Sequence, residues 1–135
     1  MRKAAVSTGA SADHLVEQLP PTNTWGKKFI LSSIPGIPEQ EVYRFVASED
    51  STVVTVRRSD NTVHTLDIAN AGEYEDLQPP NGFSATVVAT KPILVVQFER
   101  CGPGTGYDGD PSMQIVPPIN LYGSEFTFPF PDSRT

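Results

Sequence analysis

The chain has 135 residues, 16 of them acidic and 10 basic, a net charge of −6 and a single cysteine. That length makes one domain, and the acidic balance, with cations no more than paired at Lys27-Lys28 and Arg57-Arg58, argues against nucleic acid or an anionic membrane as partner. No apolar run approaches the roughly 18–20 residues of a membrane-spanning helix, and Cys101 has no second cysteine in the chain to pair with.

Val, Ile and Thr number 32 against seven Leu. Branching at Cβ restricts χ1 in a helix and packs well on a pleated surface, so the composition favours strands. Residues 1–12 show no periodicity and predict a disordered tail. The opening Met1-Arg2-Lys3 resembles the charged start of a signal peptide, but residues 7–12 are small and polar where an apolar stretch would follow. This predicts a cytosolic chain or a piece of a longer secreted one. Residues 13–18 allow at most one helical turn before Pro20-Pro21 stops it.

From Trp25 onward, short β-branched or aromatic segments alternate with turn residues. Strands are predicted over 28–31, 42–47, 52–57, 63–68, 72–75, 84–89, 93–98, 113–116 and 125–128. The breaks fall at Pro35-Gly36, 48–51, 59–61, 79–82, Lys91-Pro92 and 102–111. Such short strands at this spacing predict an antiparallel β-sandwich, jelly-roll or immunoglobulin-like, or a partial barrel. Residues 43–57 read as a hairpin, with Tyr43 and Phe45 on one face, Val54 and Val56 on one face, and 48–51 as its turn. Ile93-Leu94-Val95-Val96 is apolar on both faces and predicts a central strand. Trp25, beside Gly26, is expected to pack on the sandwich. The domain is expected to span 13–130, with 131–135 a second tail.

The residues that carry chemistry are sparse. His14, His64 and Cys101 have no zinc-ligand spacing, and His64 reads as a half-exposed strand residue. Gly104, Gly106 and Gly109 match the spacing of a dinucleotide fingerprint, but no helix follows to bind the pyrophosphate. Asp108 and Asp110 supply two carboxylates where calcium needs six to eight oxygens. Glu73, Glu75 and Asp76 form the densest acidic cluster and read as a solvated face. No cofactor is predicted.

Several ordered blocks resemble the N-terminal domain of the IgGFc-binding protein family. They are Asp13-His14-Leu15-Val16-Glu17-Gln18-Leu19-Pro20-Pro21, Trp25-Gly26-Lys27-Lys28-Phe29, Tyr43-Arg44-Phe45-Val46-Ala47-Ser48-Glu49-Asp50 and Asn70-Ala71-Gly72-Glu73-Tyr74. Lys91-Pro92-Ile93-Leu94-Val95-Val96-Gln97-Phe98, Gly109-Asp110-Pro111-Ser112-Met113, Val116-Pro117-Pro118-Ile119 and Tyr122 with Phe126-Thr127-Phe128 complete the set. The resemblance implies a secreted, non-enzymatic module, of the kind found in mucus proteins and bacterial surface proteins. It also implies that this chain corresponds to the C-terminal half of a longer domain, and so to an incomplete sandwich. Relatives often carry a cysteine just before the Asp-His-Leu block, where this chain has Ala12.

The function expected on these grounds is extracellular recognition or adhesion, through protein–protein or protein–glycan contacts in mucus, innate immunity or cell adhesion. Immunoglobulin Fc is a partner by family analogy alone. The rivals are a structural module that self-associates or supports its neighbours, and a hydrolase built on Glu73 and Glu75. Candidate binding residues lie on three loops, with Glu49 and Asp50 on the first, Asn81 and Phe83 on the second, and Tyr107, Asp108 and Asp110 on the third.

Overall fold

The computed structural model describes residues 15–34, 41–80, 82–99 and 111–125. Seven strands follow in chain order: β1 Gly26–Ser32, β2 Glu41–Ala47, β3 Thr52–Arg58, β4 Val63–Ile68, β5 Tyr74–Leu77, β6 Ser84–Glu99 and β7 Ser112–Val116. Short 3₁₀ turns cover Thr22–Thr24 and Ile119–Leu121. All pairings are antiparallel, and the protein is all-β.

β6 organises the sheet. Its first half, Ala85 to Ala89, pairs with β3, and its second half, Ile93 to Glu99, pairs with β2. Two strands were expected here, broken at Lys91-Pro92. The structure instead has one strand of 16 residues. Pro92 has no N–H to donate and Thr90 to Pro92 have no ladder partner, so the strand bends without ending.

The expected 43–57 hairpin is not formed. β1 shares Ala85–Val88 with β3 and shares Ile93 with β2, so β2 and β3 occupy the same edge of β6, end to end. Tyr43, Phe45, Val54 and Val56 point inward in either topology, which is why the alternation did not separate them. β4 pairs with β3 and β5 with β2, again in sequence along the outer edge. β7 and β1 share the opposite edge of β6.

The result is one sheet folded across its middle. Its first half is β4-β3-β6-β1 and its second half is β5-β2-β6-β7. The inner faces pack on each other around Phe29, Leu31, Tyr43, Phe45, Val54, Val56, Val87, Ile93 and Val95, all at most 2% exposed. The predicted sandwich thus holds, with its two layers drawn from one sheet. The fold line is crossed by hydrogen bonds between neighbouring tracks: Ser48 N–H to the Pro92 carbonyl (3.2 Å), Ser51 N–H to Ala69 (2.8 Å), Ala47 N–H to Glu73 (3.0 Å) and Val53 N–H to Thr90 Oγ1 (3.0 Å). Ser51 and Gly72 take positive φ there, 55° and 80°. On the fourth track, Gly26 begins β1 against Pro118, with room for no Cβ: one would meet the proline Cβ at 2.2 Å.

The strand expected at 72–75 lies at Tyr74–Leu77, two residues later. Residues 15–20 contain no helical turn. The tails expected at 1–12 and 131–135, the glycine-rich loop and most of the strand expected at 125–128 lie outside the described residues.

Candidate binding surfaces

The loop residues Glu49 and Asp50 sit exposed on the fold line. Asp50 is tied into it: its Oδ1 accepts from Ala71 N–H at 2.8 Å, and its carbonyl accepts from Lys91 Nζ. Phe83 belongs to the interior instead. At 2% exposure its ring packs 5.6 Å from that of Tyr43, so a large apolar side chain read as a loop contact serves the core. Asn81, Tyr107, Asp108 and Asp110 lie outside the described residues, as do His14 and Cys101. His64 is exposed on β4.

The acidic cluster of the sequence is divided among structural tasks. Glu73 accepts from Asn70 N–H at 3.1 Å, and Asp76 receives Arg44 through two hydrogen bonds of 2.8 Å. The Asp76 carboxylate raises the pKa of that guanidinium, which lies 3.8 Å from the Tyr74 ring centroid. Among the described residues no group of three or more His, Cys, Asp or Glu is placed to hold a metal.

A buried polar network closes one end of the interior. Gln97 Nε2 donates to Tyr43 Oη (3.0 Å) and Glu41 Oε1 (3.2 Å), Tyr43 Oη–H donates to the Ser32 carbonyl (2.8 Å), and Glu41 Oε1 accepts from Ile34 N–H. Burial, reinforced by the Glu41 carboxylate, pushes the Tyr43 phenol pKa far above its ordinary value. These partners satisfy one another and anchor the end of β1, which makes the network a structural clasp.

The outer faces of the two halves differ. On the second half, Leu94, Val96 and Phe98 are at most 8% exposed, covered by Leu15, Trp25, Val42, Val46, Met113 and Ile115. Trp25 packs as expected, and its indole N–H donates to the Pro20 carbonyl at 3.0 Å. On the first half the register places two rows across four strands: Lys28, Val88, Thr55 and Thr65, then Ile30, Thr86, Arg57 and Val63. Ile30, Val88 and Val63 are 51%, 50% and 45% exposed. Neither row holds a carboxylate or an aromatic ring. The sequence carries one signal for this face, since Val87-Val88 is apolar on both sides of the strand.

A second concave feature lies where β7 ends and β1 begins. It is an apolar cleft of about 250 Å³ walled by Trp25, Pro20, Pro117, Pro118, Ile115 and Leu121, among others.

No curated protein and no solved structure matches the chain significantly. A family model described as IgGFc binding protein matches residues 2–134. That span includes both halves of the folded sheet, the open face and the cleft, and the chain belongs to the IgGFc binding protein family.

Proposed function

We propose that this domain is a non-enzymatic extracellular recognition module, and that it engages a protein partner through the open outer face of β4-β3-β6-β1. The observation that carries the reading is the contrast between the two outer faces. One is covered by the chain's own residues 15–25, while the other leaves Ile30, Val63 and Val88 about half exposed beside Lys28 and Arg57. Apolar side chains ringed by polar ones are the usual make-up of a contact surface. Lys28 and Arg57 lie in these rows and Asp67 follows Thr65 on the same face, so the apolar side chains are bordered by charge of both signs. A glycan is the weaker fit here, because no aromatic ring is offered for a sugar to stack on. The family name supports a binding role and an extracellular setting, and makes immunoglobulin G Fc the first probe. Roles in mucus, innate immunity or adhesion are specific forms of this reading.

Capture from the extracellular fluid in which the protein occurs, with Fc fragment as a separate probe, tests it. The proposal expects Ile30→Glu/Val88→Glu to lose what the wild type retains and Glu49→Lys/Asp50→Lys to keep it. The opposite pattern would assign recognition to the fold-line loop. A second reading, self-association, rests on β1 and β4. Each is the outer strand of its half, with one backbone edge unpaired among the described residues. Light scattering separates the two, since a monomer at all accessible concentrations removes the second.

A further inference from the structure

Of the arginines among the described residues, Arg44 and Arg58 each have a carboxylate. Asp76 holds Arg44 through two hydrogen bonds of 2.8 Å, and Arg58 Nη1 lies 3.2 Å from Asp60. Arg57 forms no ion pair among the described residues, although it stands exposed on β3, between β4 and β6. A depression of about 330 Å³ opens beside it, lined by Ile30, Ser59, Asn61, Ser84 and Thr86, among others. The four polar side chains are exposed, and among the described residues none of them donates a hydrogen bond.

The rim is fixed by the backbone. Ser59 N–H donates to the Ser84 carbonyl (2.9 Å), Arg58 N–H to the Thr62 carbonyl (2.9 Å) and Asn61 N–H to the Arg58 carbonyl (3.0 Å). Asp60 is engaged by its own turn, where its Oδ1 accepts from Thr62 N–H at 2.8 Å, and by Arg58. The other carboxylate of this face, Asp67, lies four residues along β4 from Val63, the pairing partner of Arg57, a distance of about 13 Å. The charge at the depression is therefore positive, even though the face as a whole carries both signs.

A planar guanidinium takes a carboxylate through two parallel hydrogen bonds. The surrounding hydroxyls and amide offer further donors, and Ile30, 51% exposed, gives an apolar wall. One unpaired guanidinium matches a single carboxylate better than a polyanion, which the net charge of −6 would also repel. We infer that the depression receives an aspartate or glutamate side chain of a protein partner, with an apolar neighbour of that side chain seated on Ile30. Arg57 is then the specificity-determining residue of the interface, in keeping with the prominence of arginine among the residues that dominate binding energy. The inference rests on the open face being the contact surface.

A phage-displayed library of random heptapeptides, selected on the full chain at low salt, tests it. Selected peptides should carry Asp or Glu beside an apolar residue, and Ile30→Glu/Val88→Glu should abolish their binding. Replacing the acidic residue of a selected peptide by its amide should weaken binding to the wild type by about 10–100-fold. The same replacement should change little on Arg57→Gln, whose circular dichroism and melting should match the wild type. Peptides that need Ile30 and Val88 but show no acidic preference, or an acidic preference that persists in Arg57→Gln, would overturn the inference and leave the open face as the contact surface. A library yielding no peptide sensitive to Ile30→Glu/Val88→Glu would remove both. Binding of a sialylated oligosaccharide through Arg57, where no peptide binds, would replace the acidic side chain with an acidic sugar and so overturn the inference.

Discussion

β6 carries two outer faces with opposite fates. In its second half Leu94, Val96 and Phe98 are roofed by Leu15 and Trp25 and flanked in the sheet by Met113 and Ile115, and little of them reaches solvent. In its first half Thr86 and Val88 stand in the open beside Ile30 and Arg57. The inner faces of both halves contribute alike to one core. The core therefore does not require the difference. The second half is stabilised from both sides, while the first is held by its inner face and leaves its outer face available for contact. The roof is supplied by residues 15–25, which pass over one half only.

The largest effects should fall on the roofed side. Leu94→Ala removes a side chain packed between sheet and cover and should cost about 2–5 kcal/mol in denaturant unfolding. Trp25→Ala, only partly buried, should sit near 3 kcal/mol and also release the Pro20 carbonyl. If both variants matched the wild type, the roof would contribute nothing and the contrast would fail. Gly26→Ala should come next, at about 1–3 kcal/mol. The new Cβ would overlap Pro118 at 2.2 Å, forcing β7 and β1 apart where the roof begins. An unaltered midpoint would show that this junction yields freely.

A smaller, pH-dependent effect belongs to the clasp that joins β1 to β2 and β6. The buried Tyr43 phenol has a pKa raised above its unfolded value, which is near 10. The folded state thus keeps a proton that the unfolded state releases. The contribution of Tyr43 is complete below about pH 10 and is lost as pH rises beyond it. Tyr43→Phe should lower stability at pH 7, because Gln97 and the Ser32 carbonyl lose a partner, and should flatten the alkaline fall. Identical alkaline slopes would contradict this. The smallest effect is expected on the open face, where Val88→Ala should change stability by no more than about 0.5 kcal/mol. A loss as large as that of Leu94→Ala would mean that Val88 is covered.

Much of this arrangement was legible in the residues. β-branched alternation located six of the seven strands within two residues at each end and marked β6 as central, because Ile93 to Val96 is apolar at every position. The bend was misread as a break, since Lys91-Pro92 is equally good chemistry for a turn and for a strand that continues without one donor. The 48–51 segment misled for a related reason. Four polar residues at a change of direction suit a hairpin turn or a fold line, and only the pairing partner of β3 distinguishes them. Phe83 was read as a contact because it follows Pro-Pro-Asn-Gly, although its position against Tyr43 could be set only by the fold. Beyond Val87-Val88 the open face is not legible in the sequence, because Ile30, Val63 and Val88 are far apart in it and meet only through the register.

The contrast between the two outer faces is tested most directly by methyl NMR of the free protein with a soluble paramagnetic probe. The account predicts strong relaxation at Ile30, Val63 and Val88 and protection at Leu94, Val96 and Ile115. Equal relaxation of the two sets, or protection of Val88, would contradict it.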